Sequence, residues 1–150
     1  MKRARTSGRG LPWIVLGLWV GTEATGLHML RKFVRGGGFH DETLETTYPA
    51  GLVANGTLGS AASILWVLFL RTRIRALAVA AFGQFTAAIV AGTALAVPWH
   101  LAKRSGRPSR RAGGPEALRY HIVVEAAHAV LAWATAILSG IVALRSSSRR

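Results

Sequence analysis

Apolar residues run through this chain in four long stretches, and the charged residues stand between them. Of its 19 basic and six acidic residues, only two, Glu23 and Glu125, fall inside residues 10–30, 46–70, 76–102 and 120–144. A helix at a water surface repeats charged side chains every three or four residues along its outer face, and these stretches have no such face. About 20 apolar residues cross a hydrocarbon core as a helix. The pattern therefore predicts an all-α integral membrane four-helix bundle, with transmembrane helices at roughly 10–30, 49–70, 76–100 and 118–144. All 150 residues form one domain with basic N- and C-terminal tails. The turn Arg71-Thr72-Arg73-Ile74-Arg75 joins the second and third helices as an antiparallel hairpin.

The first stretch has a basic start, an apolar run from Leu11 to Gly21 and small residues at Ala24-Thr25-Gly26, which gives it a signal-peptide look. An uncleaved helix is the expectation, because the apolar character continues to Leu30 and then meets Arg31-Lys32. Alternate crossings put the N-terminal tail, the 71–75 turn and the C-terminal tail on one side, with ten basic residues and no acid. The opposite side carries nine basic residues and four acids. Short loops near helix ends weigh most, so a multi-pass protein of the plasma membrane with both termini cytoplasmic is expected.

The net charge of +13 raises the question of nucleic acid. The basic residues lie in blocks at both membrane faces, not on one stripe interleaved with stacking aromatics, so no nucleic-acid partner is expected and anionic lipids are. The absence of cysteine removes disulfides, thiolate metal sites and covalent c-type haem.

An ionisable group inside a bilayer costs about 2.5–3.5 kcal/mol on the insertion scale, so Glu23 and Glu125 call for a reason. With helices one and four antiparallel, both carboxyls are expected about two turns below the same surface, where they can meet. On the fourth helix, Glu125, His128, Thr135 and Ser139 all fall within about 40° of the line through His121. Such a stripe must face the bundle interior or a wet cavity. Thr22, Thr25 and His28, with Asn55, Thr57, Thr93 and His100, add polar groups near that depth. His28 and His40 read as interfacial or structural histidines, Trp13 and Trp99 as belt residues, and Trp19, Trp66 and Trp133 as packing.

A carboxyl with two imidazoles in a partly dry pocket is a general acid/base set able to move a proton on a lipid-soluble substrate. Glu125 is the expected acid or base, His121 and His128 its proton partners, Glu23 a second carboxyl and His100 an orienting group. Asn55, Thr93 and Trp99 are the expected substrate contacts. Glu125-Ala126-Ala127-His128 is also a Glu-x-x-His, but two intramembrane carboxylates are too few for a di-iron site. No cofactor is expected, while haem on a histidine pair or a single metal ion stays open. So does a proton-coupled transporter subunit, which at this size would have to form a homo-oligomer.

Val97-Pro98-Trp99-His100-Leu101, the Arg/Gly/Pro-rich connection after it, and Leu118 with His121 at the opening of the last helix resemble the small four-helix membrane family that includes the anthrone oxygenases. The match covers about a fifth of the chain closely, and length and crossing number are similar. His100 stands where many relatives have asparagine, and Glu125 stands where a basic residue is usual. The resemblance implies a membrane-embedded enzyme that oxidises a hydrophobic polycyclic compound with dioxygen in a biosynthetic pathway, without an organic cofactor. It points to His100, His121 and Glu125. Cyclisation of an isoprenoid is the other chemistry the stripe would suit.

Overall fold

The computed structural model describes residues 10–35, 42–104 and 114–146, with side chains outside 32–34, 42–48, 96–104 and 114–122. Four helices account for nearly all of it: α1 (Leu11–Arg35), α2 (Glu42–Thr72), α3 (Arg75–Arg104) and α4 (Gly114–Arg145). At the start of α1 the Gly10 carbonyl accepts the N–H groups of Trp13 and Ile14 at 3.0 and 3.1 Å. Pro12 occupies that first turn, where a missing donor costs nothing.

All four helices are longer than expected at the end away from the 71–75 turn, and α2 begins seven residues before Pro49. The sequence argument starts that helix at the proline. Inside a helix, however, a proline deletes one backbone bond, and neighbouring groups can satisfy the freed carbonyl in a membrane bundle.

The α2–α3 turn is tighter than five residues, because only Arg73 and Ile74 lie outside the helices. Arg73 takes the left-handed conformation, with φ of 60°. Its N–H reaches back to the Phe69 carbonyl at 2.8 Å, closing α2 with a single αL cap. A residue with a β-carbon in this region gives up about 1–2 kcal/mol that glycine would not.

Among the described residues α1 packs on α2 and α4, and α3 packs on the same two helices. The helices therefore form a ring in which each runs antiparallel to the next. The basal end of the ring holds the start of α1, the α2–α3 turn and the end of α4.

The core is aromatic toward the basal half. Trp19, Trp66 and Phe85 are fully buried. The Trp19 and Phe85 rings lie 4.9 Å apart across the ring of helices, and Trp66 stands 6.1 Å from Phe85 and 5.2 Å from Phe69. The Trp66 indole N–H donates to the Pro12 carbonyl at 2.8 Å, tying α2 to the first turn of α1. The Cζ2 edge of the Trp19 ring abuts α2 at Gly59, where an added β-carbon would overlap the indole. Trp133, by contrast, is exposed and does not pack. The inward stripe of α4 is built from Ala132, Thr135, Ala136, Ser139 and Ala143, which leaves no room for an indole, and in lipid an outward ring loses little because acyl chains are as apolar as a core.

Large apolar side chains cover the outside, among them Val20, Leu27, Ile64, Val123, Val130 and Leu144. Pro49–Thr72, Arg75–Leu95 and Val123–Arg145 are long and apolar enough to cross a membrane, and the chain is a multi-pass membrane protein. The expectation of four such stretches is met by three. Thr22, Glu23, Thr25 and His28 make α1 less apolar, though it is long enough and lies beside the others over the same height.

Packing at Gly59 predicts that Gly59→Ala destabilises the bundle by about 1–3 kcal/mol through overpacking. At Gly83 an added β-carbon would meet nothing within 4 Å, so Gly83→Ala is expected to be neutral or up to about 1 kcal/mol stabilising. Unfolding from detergent into SDS, followed by tryptophan fluorescence, checks both.

Candidate functional site

One turn above the aromatic layer, α1 changes character. Thr22 is fully buried, and Glu23, Thr25 and Gly26 follow it within four positions. These residues divide between the two flanks of α1. Trp19 and Glu23, four apart, share the flank toward α2, whereas Gly21, Thr25 and Gly26 line the flank toward α4.

On the α2 side the Trp19 indole N–H donates to Glu23 Oε1 at 2.8 Å. Glu23 Oε2 lies 3.3 Å from the place a β-carbon would take on Gly56, so the carboxylate rests directly on the α2 backbone. Its neighbour Asn55 is buried and donates its amide to the Ala88 carbonyl on α3 at 3.1 Å. Glu23 and Asn55 therefore share a level above the aromatic layer.

On the α4 side, His128 Nδ1 lies 3.0 Å from the Thr22 carbonyl and 3.0 Å from the Thr25 hydroxyl. A carbonyl oxygen can only accept, so Nδ1 carries the proton and donates it. The Thr25 hydroxyl is free to receive that ring N–H because it spends its own proton on the carbonyls of Thr22 and Gly21, at 2.8 and 3.0 Å. The ring is thus held in one tautomer by two groups of α1, and its Nε2 keeps a lone pair. Among the described residues Nε2 has no hydrogen-bond partner, and no buried side-chain nitrogen or oxygen is left unsatisfied. Gly26 makes the approach feasible, since a β-carbon there would stand 3.2 Å from His128 Cε1.

From Glu125 to Ser139 the proposed stripe on α4 is partly or fully buried, but its members divide by role. Thr135 and Ser139 are fully buried and return their hydroxyl protons to Leu131 and Ala136 of their own helix, at 2.8 and 2.9 Å. They fill space and are not available to a ligand. His128 crosses to α1. Glu125 is half-buried one turn further from the basal end, on the side of α4 that also carries Ala132.

The two carboxyls are not level with each other. Gly21 packs on Leu131 and Gly26 on His128, a register that puts Glu125 opposite the His28 region. Glu23 lies about 7 Å lower along the axis and is turned to the other flank of α1. The contacts of His128 lie on the α1–α4 seam, with Glu23 set apart against α2. His28 is half-buried, while Thr57 and Thr93 are exposed. Thr93 thus points away from the core stripe of α3 and is not grouped with Asn55. Asn55 itself acts as an interhelix tie, one of its amide donors being committed to α3. The backbones of Trp99 and His100 belong to α3 and that of His121 to α4, but their side chains lie outside those described, and His40 lies outside altogether.

Four contributors were not singled out for these roles in the sequence: Trp19 as the partner of Glu23, the Thr22 carbonyl as the partner of His128, and Gly26 and Gly56 as seats. The four-residue spacing of Trp19 and Glu23 was visible. The glycine seats had no signal, because a glycine in a membrane helix has many uses. No cluster of three metal-ligating side chains occurs among the described residues. No family model, no curated protein and no solved structure matches the chain.

The fixed imidazole predicts a ¹⁵N spectrum of histidine-labelled protein with His128 protonated at Nδ1 and unprotonated at Nε2. Removing the hydroxyl in Thr25→Val, combined with His128→Phe in a double-mutant cycle, is expected to give a coupling energy of about 0.6–1.7 kcal/mol, the range for hydrogen bonds between membrane helices.

Proposed function

We propose that this protein is a membrane-embedded enzyme that moves a proton on a lipophilic substrate, polycyclic or isoprenoid, as a step in a biosynthetic pathway. The reading rests on one observation: an imidazole inside an apolar bundle whose Nδ1–H is held by α1 while Nε2 keeps its lone pair. Such a ring accepts a proton without first rotating or changing tautomer, and general-base catalysis depends on that readiness. Glu125, one turn further from the basal end, is the group that takes the proton onward. His121, His100 and Trp99, on the stretches of α3 and α4 that continue to the opposite end, are the proposed lining of the substrate's entry.

A base at this position favours removal of an acidic C–H proton over protonation of an alkene. Between the two chemistries, base-initiated oxygenation of an anthrone-like ring, in which dioxygen oxidises the carbanion, is therefore preferred to acid-triggered cyclisation. A second reading draws on the same bond. A histidine that donates Nδ1–H to a backbone carbonyl and presents Nε2 is also the usual form of a metal or haem ligand.

The test compares lipid extracts of cells producing wild-type protein, His128→Gln and Glu125→Gln at equal membrane levels. A lipid-soluble product that depends on the wild type is expected to fall by about 10²–10⁴ in His128→Gln. An extract unchanged by that substitution overturns the proposal. A Soret band in the purified protein, lost in His128→Gln, replaces it with the haem reading, and proton flux into vesicles abolished by either substitution replaces it with transport.

A further inference from the structure

We propose that the basal end of the bundle is a binding surface for the headgroups of anionic phospholipids. The surface is built on the α2–α3 turn. Arg71, Arg73 and Arg75 lie within five residues, all three are exposed, and none of them pairs with a carboxylate among the described residues. Arg145, at the end of α4, is exposed at the same end. No acid lies at that end among the described residues: Glu23 and Glu125 are in the upper layers of the bundle, and Glu42, Glu45 and Glu116 stand in the opening turns of α2 and α4, at the other end, with Asp41 next to them in the sequence. Three positive charges this close repel one another and call for anions from outside the protein.

Position identifies those anions. The three apolar spans end or begin at Thr72, Arg75 and Arg145, so the guanidinium groups stand where the hydrocarbon gives way to headgroups. Ile74, at the tip of the turn, and Trp13, in the first turn of α1, are both exposed beside them. An apolar tip and an indole ring at this height suit an acyl boundary and do not suit bulk water. Guanidinium groups bind phosphate oxygens in pairs, and basic residues next to a span are drawn to anionic leaflets.

Arg73 adds an independent argument. Its left-handed backbone position is one that glycine occupies without strain, yet arginine stands there, with its guanidinium carbon 5.9 Å above the Phe69 ring. The ring holds one face of the guanidinium over the end of the core and leaves its edge donors uncommitted to any carboxylate. Stability alone would favour glycine at this position, and headgroup binding favours arginine.

The experiment melts the purified full chain in neutral detergent with added phosphatidylglycerol or phosphatidylcholine of identical acyl chains, and counts retained lipids by native mass spectrometry. Wild type is expected to gain several degrees and keep bound lipid with phosphatidylglycerol only. The triple substitution Arg71→Gln, Arg73→Gln, Arg75→Gln is expected to lose both effects. Because that variant could fold poorly, Arg73→Gly serves beside it: it is expected to melt no lower than wild type without lipid and to show a smaller gain with it. Arg31→Gln with Arg35→Gln, at the opposite end, is expected to keep the full gain. The proposal fails if phosphatidylcholine stabilises equally, if the triple variant keeps the gain, if the Arg31/Arg35 variant loses it, or if inorganic phosphate reproduces it.

Discussion

Inside a bilayer no water is at hand to satisfy a polar group, so the buried polar groups of this bundle find their partners on another turn or another helix. Trp19 is where that constraint acts most sharply. Its ring packs into the aromatic core, against Phe85 and on Gly59, while its N–H holds the carboxylate of Glu23 on the layer above. One side chain therefore joins the apolar half of the bundle to its polar half. The placing of Glu23 on the α2 flank follows from it, and so does the freedom of the other flank of α1 to receive His128.

The seam between α1 and α4 is built for close approach. Gly21 and Gly26 on α1 meet Leu131 and His128 on α4, and dispersion between surfaces this close is what holds helices together in lipid, where no hydrophobic drive operates between them. The same closeness brings the imidazole within reach of a main-chain carbonyl, a partner that cannot rotate away. Packing and chemistry have one cause here, the absence of β-carbons on one face of α1. Thr135 and Ser139 are buried lower on α4 and bonded to their own helix, so the polar contacts between α1 and α4 lie toward the end opposite the α2–α3 turn.

The two ends of the ring differ in kind. Positive charge without acid gathers at the basal end, and the mixed charge and all the proposed reactive groups gather above the aromatic layer. Both proposals draw on this division, the lipid surface at one end and the lipophilic substrate in the opposite half. The aromatic layer of Trp19, Trp66 and Phe85 separates the two.

Much of this was legible in the chain itself. The near-absence of charge from four long stretches determined helices, membrane and antiparallel order, because the cost of a charge in hydrocarbon is large and independent of packing detail. The inward stripe through His128, Thr135 and Ser139 was legible as well, since helical periodicity alone sets which residues share a face. What the tertiary structure decided is which neighbour each polar group meets. Glu23 and Glu125 were expected to be level, and they are separated in height and in flank by the register of α1 on α4. Trp133 was expected to pack and faces outward, while Asn55 was expected at a substrate and ties α2 to α3. Each of these depends on the rotation and sliding of one helix against another, set by where glycines allow contact and by a few hydrogen bonds between distant residues, and periodicity along a single helix carries no information about either.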